Sequence, residues 1–414
     1  MTTNLTFDWH VLEVESPSAL AAFLGSGTVI MPGAPRQLPA GTLRRIAGKR
    51  VTFLDFSPLR SVIEHEKSDQ VISVQTGISI ASLDAVLKSS NQWLPLSLFP
   101  GERSLFEFIA TGNGGLPDHH FGGPRDLVLG MTVVLMNGET IRTGGKVVKN
   151  VTGYDLNKLF VGSRATMGIP VAATLRLFAR PETAHTMFVA ASTPVEALEQ
   201  AVKIMHLELP VTGLEIIHSS CLNYRALSHG GDKADLCHWL SELYRSRHLA
   251  VVVQMAGHSR VVKEQMPRLS SLLLDGSCRH FKLEHELDDA DIGALFSFPD
   301  LHDLGVNLSL SAGQMTKLLK ALDGPTGTPP FCARPGTGRL SILTGFASGK
   351  QDLIASLSAV CKNLGMAVQI CFADDDFEFK CEQLNGDDAV RDEIKQRLKE
   401  RFDPGRLLNP AVAC

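Results

Sequence analysis

Glycine-rich turns follow apolar segments at several points in the N-terminal part of the chain. One turn contains Gly112, Gly114 and Gly115, and later turns contain Gly162 and Gly168. A residue without Cβ allows the main chain to approach a ligand closely, and successive N–H groups in such turns can hold an anionic pyrophosphate. Each glycine taken alone is typical of an ordinary turn. Their joint order favours a surface that binds an anion.

The segment Gly122–Leu177 arranges several independent local signals in one order. It contains, from its N-terminal end, Arg125-Asp126, an apolar strand Leu127–Met136, a turn at Asn137-Gly138, a second strand, Gly144-Gly145, the run KNVTGYDL at Lys149–Leu156, Gly162-Ser163 and Gly168-Ile169. The strand and turn assignments depend on apolar runs and on the Asn-Gly dipeptide. The fixed order carries more information than any one signal.

Other nucleotide-binding motifs are absent from the sequence. A dinucleotide fingerprint requires G-x-G-x-x-G between a strand and a helix, and the glycine pairs at 25/27 and 112/114 lack the third glycine. A P-loop requires Gly-Lys followed by Ser or Thr, whereas Val147 follows Gly145-Lys146 and Gln351 follows Gly349-Lys350. The sequence therefore predicts neither a Rossmann-type turn nor a nucleoside triphosphate site.

The candidate metal ligands also lack the required spacing. His119 and His120 are adjacent, and adjacent side chains rarely point at one ion, so a surface loop is the favoured interpretation. His280, Glu284 and His285 favour a solvated helix or strand face. The eight cysteines contain no C-x-x-C pair and are predicted to be buried, reduced thiols. No metal site is predicted.

Composition excludes further classes of protein. The 414 residues carry a formal net charge of −4, with 20% charged residues and no long basic run, which gives no support to nucleic-acid binding. The N-terminus lacks a basic start followed by an apolar core, and no apolar run approaches the roughly 20 residues of a membrane-spanning helix. A soluble, cytoplasmic protein without a transmembrane segment is the resulting expectation.

Hydrophobic periodicity predicts two lobes, the default for a chain of this length. In the first, Val71–Gln75 alternates as a strand and Ser79 caps a helix. In the second, helices alternate with strands, which predicts a sheet covered by helices on one side. Its predicted elements are helix Pro194–His206, strand Leu249–Met255, helix Ser259–Leu274, strand Val306–Leu310, helix Gly313–Leu322, strand Leu340–Thr344 and strand Ala367–Cys371. A last helix, Asp388–Phe402, precedes the tail DPGRLLNP at 403–410.

The ordered segment Gly122–Leu177 resembles the FAD-linked oxidase family, which includes vanillyl-alcohol oxidase and D-lactate dehydrogenases. Its stretch GGKVVKNVTGYDLNKLFVGS is most similar to the smaller FAD-binding subunit of bacterial glycolate oxidase, a multi-subunit dehydrogenase of 2-hydroxy acids. The resemblance implies an α+β fold with a PCMH-type FAD-binding domain at residues 1–183. An α/β cap domain with an antiparallel sheet covered by helices follows at 184–384, and a helix and tail at 385–414 return to the FAD domain.

The same resemblance implies non-covalent FAD, because neither predicted phosphate-binding loop contains the His or Cys that covalent attachment needs. The implied loops are Met31–Gln37 and Ser104–Gly115, and the turns after 162 and 168 would add main-chain contacts. The predicted cofactor-binding residues are Pro32, Gly33, Ala34, Arg36, Thr111, Gly112, Asn113, Gly114, Gly115, Gly162, Ser163, Gly168 and Ile169.

Three departures from the family pattern fall on these loops. Pro35 stands in the first loop, where a proline removes an N–H donor. Phe106-Glu107 stands where the family has Gly-Gly, and Glu107 would bring negative charge towards an anionic pyrophosphate. Ala165 replaces a family glycine. Arg36 or Arg164 could instead supply a charge-assisted phosphate contact.

Catalytic residues cannot be assigned from the sequence. A 2-hydroxy-acid dehydrogenase needs a cation for the substrate carboxylate and a base, usually histidine, near the flavin. Catalytic relatives carry a late histidine-rich motif, whereas residues 367–382 here contain no histidine and include the acidic run Asp374–Asp376. Arg334 is the best remaining carboxylate binder, with an ordinary turn residue as the favoured interpretation. Tyr154 and Asp155 are interpreted as packing and loop-tying groups.

The resemblance therefore implies an FAD-binding accessory subunit of a glycolate-oxidase-like complex. Its expected partners are a catalytic flavin subunit and an iron–sulfur subunit, through which the protein would attach peripherally to the inner membrane. Two alternatives stay open: a flavin-free structural subunit of the same complex, and a self-sufficient FAD oxidase. Fold alone does not decide among them.

Overall fold

The computed structural model describes residues 8–24, 28–32, 46, 48–96, 103–146, 154–222, 234–273, 280–281, 304–323, 329–344, 357, 359–360, 363, 368–373 and 389–409. Their strands are β1 Asp8–Glu13, β2 Val29–Pro32, β3 Arg50–Asp55, β4 Val62–Glu66, β5 Val71–Gln75, β6 Gln92–Trp93, β7 Val128–Val134, β8 Thr140–Gly144, β9 Ile169–Arg176, β10 Phe178–Ala179, β11 Thr183–Ala191, β12 Val211–His218, β13 Leu249–Gly257, β14 His280–Phe281, β15 Leu304–Ser309, β16 Phe331–Arg334, β17 Arg339–Thr344 and β18 Val368–Ala373.

Their helices are α1 Pro17–Phe23, α2 Ile80–Lys88, α3 Leu105–Thr111, α4 Asp118–Phe121, α5 Pro124–Leu127, α6 Asn157–Phe160, α7 Pro194–Met205, α8 Ala234–Ser246, α9 Ser259–Leu273, α10 Ala312–Leu322 and α11 Ala389–Phe402. Serine and threonine side chains begin several of them by accepting the N3 amide, as Ser79 does for α2 and Ser104 for α3. The predicted cap at Ser79 is confirmed.

The first lobe contains the sheets built from β1 to β10. A parallel sheet has the order β1-β3-β2, and an antiparallel sheet has the order β4-β5-β9-β7-β8. The predicted turn at Asn137-Gly138 connects β7 to β8, and Gly138 has φ +80°, a left-handed value that favours glycine. The core of the five-stranded sheet packs on α2 and α3 through Leu83, Leu87 and Ile109.

The second lobe is built on an antiparallel sheet of order β14-β11-β13-β12-β16-β17-β15-β18. Apolar residues of α7, α9 and α10 pack on one face of this sheet. The opposite face packs on α8 and on Leu116 of the first lobe. All eight residues of β12 are buried as a result. The prediction of an antiparallel sheet covered by helices is confirmed. The prediction that helices cover only one face of the sheet is wrong, because strands that are apolar throughout need both faces buried.

The C-terminal tail contacts β2 of the first lobe. Ile30 of β2 donates its amide to the Leu407 carbonyl at 2.8 Å, and Asn409 donates to the Ile30 carbonyl at 2.7 Å. Ile394 of α11 is 51% exposed. Lys399, in the last turns of the same helix, is buried.

Lys399 and Asp403 form a buried ion pair, called here the C-terminal clasp. The Lys399 ammonium lies 2.7 Å from Asp403 Oδ2 and donates to the carbonyls of Thr166 and Leu408 at 2.6 and 3.0 Å. The two Asp403 oxygens accept the amides of Leu407 and Leu408 at 3.0 and 2.8 Å. The clasp therefore fixes the tail against the segment that follows Gly162.

Candidate functional site

Two of the predicted glycine turns lie against each other in the first lobe. Gly112 ends α3 with φ +64°, and Gly162 has φ +79°. A Cβ on Gly112 would lie 3.0 Å from the Gly162 Cα, and Gly162 donates its amide to the Ile109 carbonyl of α3 at 2.9 Å. Only glycine permits this approach of two backbones, so the two turns form one surface, called here the glycine surface.

Most of the main-chain donors of that surface are already used inside the protein. Gly112 N donates to the Phe108 carbonyl at 3.0 Å, Gly114 N to Asp118 Oδ2 at 3.3 Å, and Gly115 N to Asn113 Oδ1 at 3.3 Å. Ser163 donates its amide to the Phe160 carbonyl at 3.1 Å. Among the described residues, neither the main-chain amide nor the side-chain Nδ2 of Asn113 has an acceptor, so both are donors that a ligand can use.

A cluster of buried charges lies beneath the segment Gly112–Gly115, where the two lobes meet. It consists of Asn113, Asp118, Glu215 and Arg334, called here the interlobe cluster; its three charged members are 5%, 2% and 8% exposed respectively. Arg334 Nη1 lies 2.6 Å from Asn113 Oδ1 and 3.4 Å from Asp118 Oδ2. Arg334 Nε lies 3.3 Å from Glu215 Oε1. One guanidinium of the second lobe thus contacts two residues of the first.

Several polar atoms of the interlobe cluster lack a hydrogen-bond partner. They are Asp118 Oδ1, Glu215 Oε2 and Arg334 Nε, and the adjacent His119 Nδ1 shares this state. Each such buried atom costs about 1–3 kcal/mol of stability. The arrangement is therefore poor as a stabilising ion pair.

Burial and charge act against each other on the ionisable groups of this region. Burial raises the pKa of Asp118, and the positive charges of Arg334 and Arg339 offset this only in part. Burial lowers the pKa of the Arg334 guanidinium, but the negative charges of Glu215 and Asp118 outweigh this effect and raise the pKa overall. Burial, with the neighbouring His120, lowers the pKa of His119. The region therefore favours a neutral histidine and a charged arginine.

Two interpretations of single residues from the sequence are wrong. Arg334 is the last residue of β16 and is buried, so it is neither an ordinary turn residue nor open to a substrate carboxylate. His119 lies on α4 and is half-buried against the β16–β17 turn, where a Cβ on Gly336 would lie 2.3 Å from its Nδ1. Sequence spacing could not indicate either, since the partners come from distant elements.

The residues after Gly162 adopt a strained backbone. Arg164 and Ala165 have φ +52° and +56°, values that cost a residue with a Cβ roughly 1–2 kcal/mol. Ala165 is the position where the family pattern has glycine. Asn409 and Lys399 hold the carbonyls of Arg164 and Thr166. The departure from the family is therefore accommodated by contacts from the C-terminal tail.

The predicted residues at 168 and 169 are buried in the core. A Cβ on Gly168 would lie 2.7 Å from Val133 Cγ1, which gives glycine a packing role there. Ile169 begins β9, is fully buried and pairs with Val134. A contact between either residue and the cofactor stays a prediction.

The other predicted cofactor-binding residues lie at the ends of strands and helices or outside the residues that the structure describes. Pro32 ends β2, half-buried, and Thr111 is exposed at the end of α3, where its hydroxyl donates to the Glu107 carbonyl at 2.8 Å. Gly33, Ala34 and Arg36 lie outside the described residues, as do Glu284, His285 and Asp374–Asp376.

Phe106 and Glu107 occupy the first turn of α3, and their side chains differ from the expectation. Phe106 is 4% exposed and stacks on Phe56 with ring centroids 4.2 Å apart. It therefore fills the core and does not narrow a ligand pocket. Glu107 is partly exposed and lies 4.0 Å from Arg103, which reduces the negative charge that it presents.

Tyr154 does not pack against the lobe, because its side chain is 94% exposed. The packing role predicted for it is wrong. Asp155 Oδ2 lies 3.6 Å from the Lys158 ammonium at the start of α6, so the predicted local tie is present for this residue.

No group of three metal-binding side chains occurs in the part of the chain that the structure describes. Cys221 and Cys332 are buried free thiols, as the sequence predicts, whereas Cys237 is a free thiol that is only half-buried. Among the described helices, none is long and apolar enough to cross a membrane.

Comparison with known proteins shows what the first lobe is similar to. The family described as FAD binding domain matches residues 39–144. Glycolate oxidase subunit GlcD of Bacillus subtilis (strain 168) is 34% identical over 164 residues, which cover 38% of this chain and 33% of that protein. Glycolate oxidase subunit GlcE of Escherichia coli (strain K12) is 28% identical over 184 residues, covering 44% of this chain and 52% of that protein.

Two similarities extend further along the chain. An FAD-linked oxidoreductase of Mycobacterium tuberculosis (strain ATCC 25618 / H37Rv) is 25% identical over 397 residues, covering 90% of this chain and 83% of that protein. The solved structure of alkyldihydroxyacetonephosphate synthase superposes with a TM-score of 0.67 at 15% identity, covering 97% of this chain and 76% of that one. The chain thus spans a third of GlcD and about half of GlcE, but most of the other two proteins.

The predicted resemblance to the FAD-linked oxidases is confirmed, and so is the two-lobe α+β fold. FAD is the cofactor that the family match and the relatives support. The described residues fit a cofactor that approaches the backbone closely, because a Cβ would fill the space between Gly112 and Gly162. When bound, FAD supplies hydride-accepting chemistry.

Proposed function

We propose that this protein is the FAD-binding accessory subunit of a glycolate-oxidase-like dehydrogenase of 2-hydroxy acids. A catalytic flavin subunit and an iron–sulfur subunit are its proposed partners in the cytoplasm. The relatives GlcD and GlcE are glycolate oxidase subunits, and their likeness to this chain is concentrated in under half of it. The FAD lobe is thus the part of the molecule on which the proposal depends.

The state of Arg334 is the observation that favours an accessory role over a self-sufficient oxidase. A substrate carboxylate needs an accessible cation, and the guanidinium of Arg334 is held by Asp118, Glu215 and Asn113 in a buried cluster. Releasing it would leave two carboxylates buried without their counter-charge, which is strongly destabilising. We therefore assign Arg334 no role in binding substrate.

In this proposal the glycine surface holds FAD without a covalent bond. Gly112 and Gly162 supply the close backbone approach, and Asn113 Nδ2 donates to the cofactor. The domain boundaries proposed for this function are 1–183 for the FAD domain, 184–384 for the cap and 385–414 for the returning tail.

Turnover tests the proposed role. The purified chain, loaded with FAD, is expected not to reduce an artificial dye with glycolate or D-lactate, and to copurify on co-expression with a second flavoprotein and a cysteine-rich electron-transfer protein. Steady turnover by the chain alone would overturn the accessory assignment. Acid precipitation checks the mode of attachment: all flavin is expected in the supernatant, and flavin in the pellet would contradict non-covalent binding.

One observation favours the alternative of a flavin-free structural subunit. The amides of Gly112, Gly114, Gly115 and Gly162 are paired within the protein, so they add no donors for a pyrophosphate. A titration of the chain with FAD, followed by quenching of flavin fluorescence, separates the alternatives. Saturable quenching supports the FAD-binding subunit, and fluorescence equal to that of free FAD supports the structural subunit.

A further inference from the structure

The segment Gly112–Phe121 belongs to the first lobe by sequence but packs against the second. Leu116 is 1% exposed and packs among core residues of the second lobe. A Cβ on Gly213 of β12 would lie 2.4 Å from Leu116 Cγ, so β12 leaves room for this side chain by having glycine. The glycine surface of the FAD lobe is therefore continuous with the cap.

Two arginines of one hairpin contact this segment from the second lobe. Arg334 ends β16 and Arg339 begins β17, and the two residues pair with each other next to the turn that connects the strands. Arg334 donates to Asn113 Oδ1 at 2.6 Å, and Arg339 donates to the Gly112 carbonyl at 2.7 Å. Both contacts are charge-assisted hydrogen bonds, the stronger kind. One rigid hairpin thus fixes two successive residues of the glycine surface.

The contact with Arg334 also fixes the orientation of the Asn113 side-chain amide. Its Oδ1 accepts from both Arg334 Nη1 and the Gly115 amide, so the amide plane is fixed and Nδ2 is directed to the remaining side. The cost of the buried, partly unsatisfied charges is difficult to explain by stability alone, because an apolar replacement of such a pair is often neutral or stabilising.

We propose that Arg334 and Arg339 are positioning residues for FAD: the β16–β17 hairpin of the cap holds Gly112 and Asn113 in the conformation that contacts the cofactor. FAD affinity therefore depends on a hairpin that itself has no contact with FAD. The inference rests on the proposed FAD site at the glycine surface. It adds that the cap lobe, and any partner that moves its hairpin, controls occupancy of that site.

The experiment measures FAD dissociation constants by fluorescence for Arg339→Met and Arg339→Lys, with Arg180→Met as the matched control. Arg180 pairs with Asp84 of α2 in the first lobe, so its loss removes an arginine–aspartate contact elsewhere. We expect Arg339→Met to weaken FAD binding about tenfold, Arg339→Lys to retain most of the affinity because the ammonium can still reach the carbonyl, and Arg180→Met to bind as the wild type does.

Hydrogen exchange of the FAD-free proteins supplies the second readout and does not require cofactor. Amides of residues 112–121 are expected to exchange faster in Arg339→Met than in the wild type, while those of β13 stay unchanged. Wild-type affinity in Arg339→Met, or unchanged exchange at 112–121, would overturn the inference. If the wild type itself binds no FAD, the proposed site fails, and that result is read from the wild type before any variant.

Discussion

The C-terminal clasp and the interlobe cluster are both buried ion pairs that fix a distant segment against the FAD lobe, but they differ in how completely their atoms are paired. In the clasp, Lys399 Nζ has three partners and both Asp403 oxygens accept amides. In the interlobe cluster, Asp118, Glu215 and Arg334 each keep one atom without a hydrogen bond. A buried charge stabilises a fold only when its hydrogen bonds are complete. The clasp therefore serves stability, and the interlobe cluster serves position.

The largest expected effect comes from breaking the clasp. Lys399→Met leaves Asp403 buried without a counter-charge and is expected to destabilise the protein by about 3–5 kcal/mol, measured by urea unfolding. Arg397→Met is the control on the same helix, since Arg397 and Glu393 form an exposed pair; its expected change is within about 0.5 kcal/mol. Equal effects of the two substitutions would contradict the importance of the clasp.

A second prediction concerns the contact between the glycine segment and Asp118. A Cβ on Gly114 would lie 2.1 Å from Asp118 Oδ1, so Gly114→Ala must displace a buried carboxylate and is expected to cost about 1–3 kcal/mol. Gly313→Ala is the control, because nothing lies within 4 Å of its added methyl group on α10. That control is expected to be neutral or stabilising. A neutral Gly114→Ala would show that Asp118 can move freely.

A third, smaller effect appears in the pH dependence of Asp118→Asn. The pKa of Asp118 is raised in the folded protein, so protonation of its carboxyl group favours folding. This contribution to stability is fully present below the pKa of an ordinary aspartate, about 3.9. It is lost as pH rises through the raised pKa of the folded protein. Asn does not titrate, so the variant gains stability relative to the wild type between pH 4 and 7. Urea unfolding at both pH values checks this, and a difference that grows in the opposite direction would contradict it.

The smallest effect is expected at Ala165. Ala165→Gly relieves a left-handed backbone, roughly 1–2 kcal/mol, but loses a buried methyl group and adds freedom to the unfolded chain, about 0.8 and 0.5–1 kcal/mol. The net change is therefore expected within about 1 kcal/mol, by thermal or urea unfolding. Ala165→Val, which keeps the strain and adds volume to a buried site, is expected to destabilise clearly; a tolerated valine would show that the clasp does not hold this turn rigidly.

Local patterns were sufficient to predict most of the fold. The strand Val71–Gln75, the cap at Ser79 and the turn at Asn137-Gly138 depend on neighbours in sequence, and all three are present. The return of the tail to the FAD domain was expected from its likeness to the family, and the structure contains a bridge between Ile30 and Leu408; the domain boundaries stay a prediction.

Contacts between distant elements could not be predicted in this way. Arg334 looked like a turn residue because Pro335 and Gly336 follow it, yet its partners come from α4 and β12, more than 100 residues away. Phe106 stands where the family has glycine, and no signal in the sequence indicated that it stacks on Phe56 in the core. The sequence predicted the turns at Gly112 and Gly162 separately, but it could not predict that the two turns lie against each other.

Protection of the glycine surface by FAD is the most direct test of the central claim. Hydrogen exchange of the wild-type chain is measured without FAD and with saturating FAD. The account predicts slower exchange in peptides that cover residues 103–121 and 154–168, with no change in peptides from α9 on the far face of the second lobe. Saturable FAD binding that leaves the exchange of both regions unchanged would contradict the placement of the cofactor at Gly112 and Gly162.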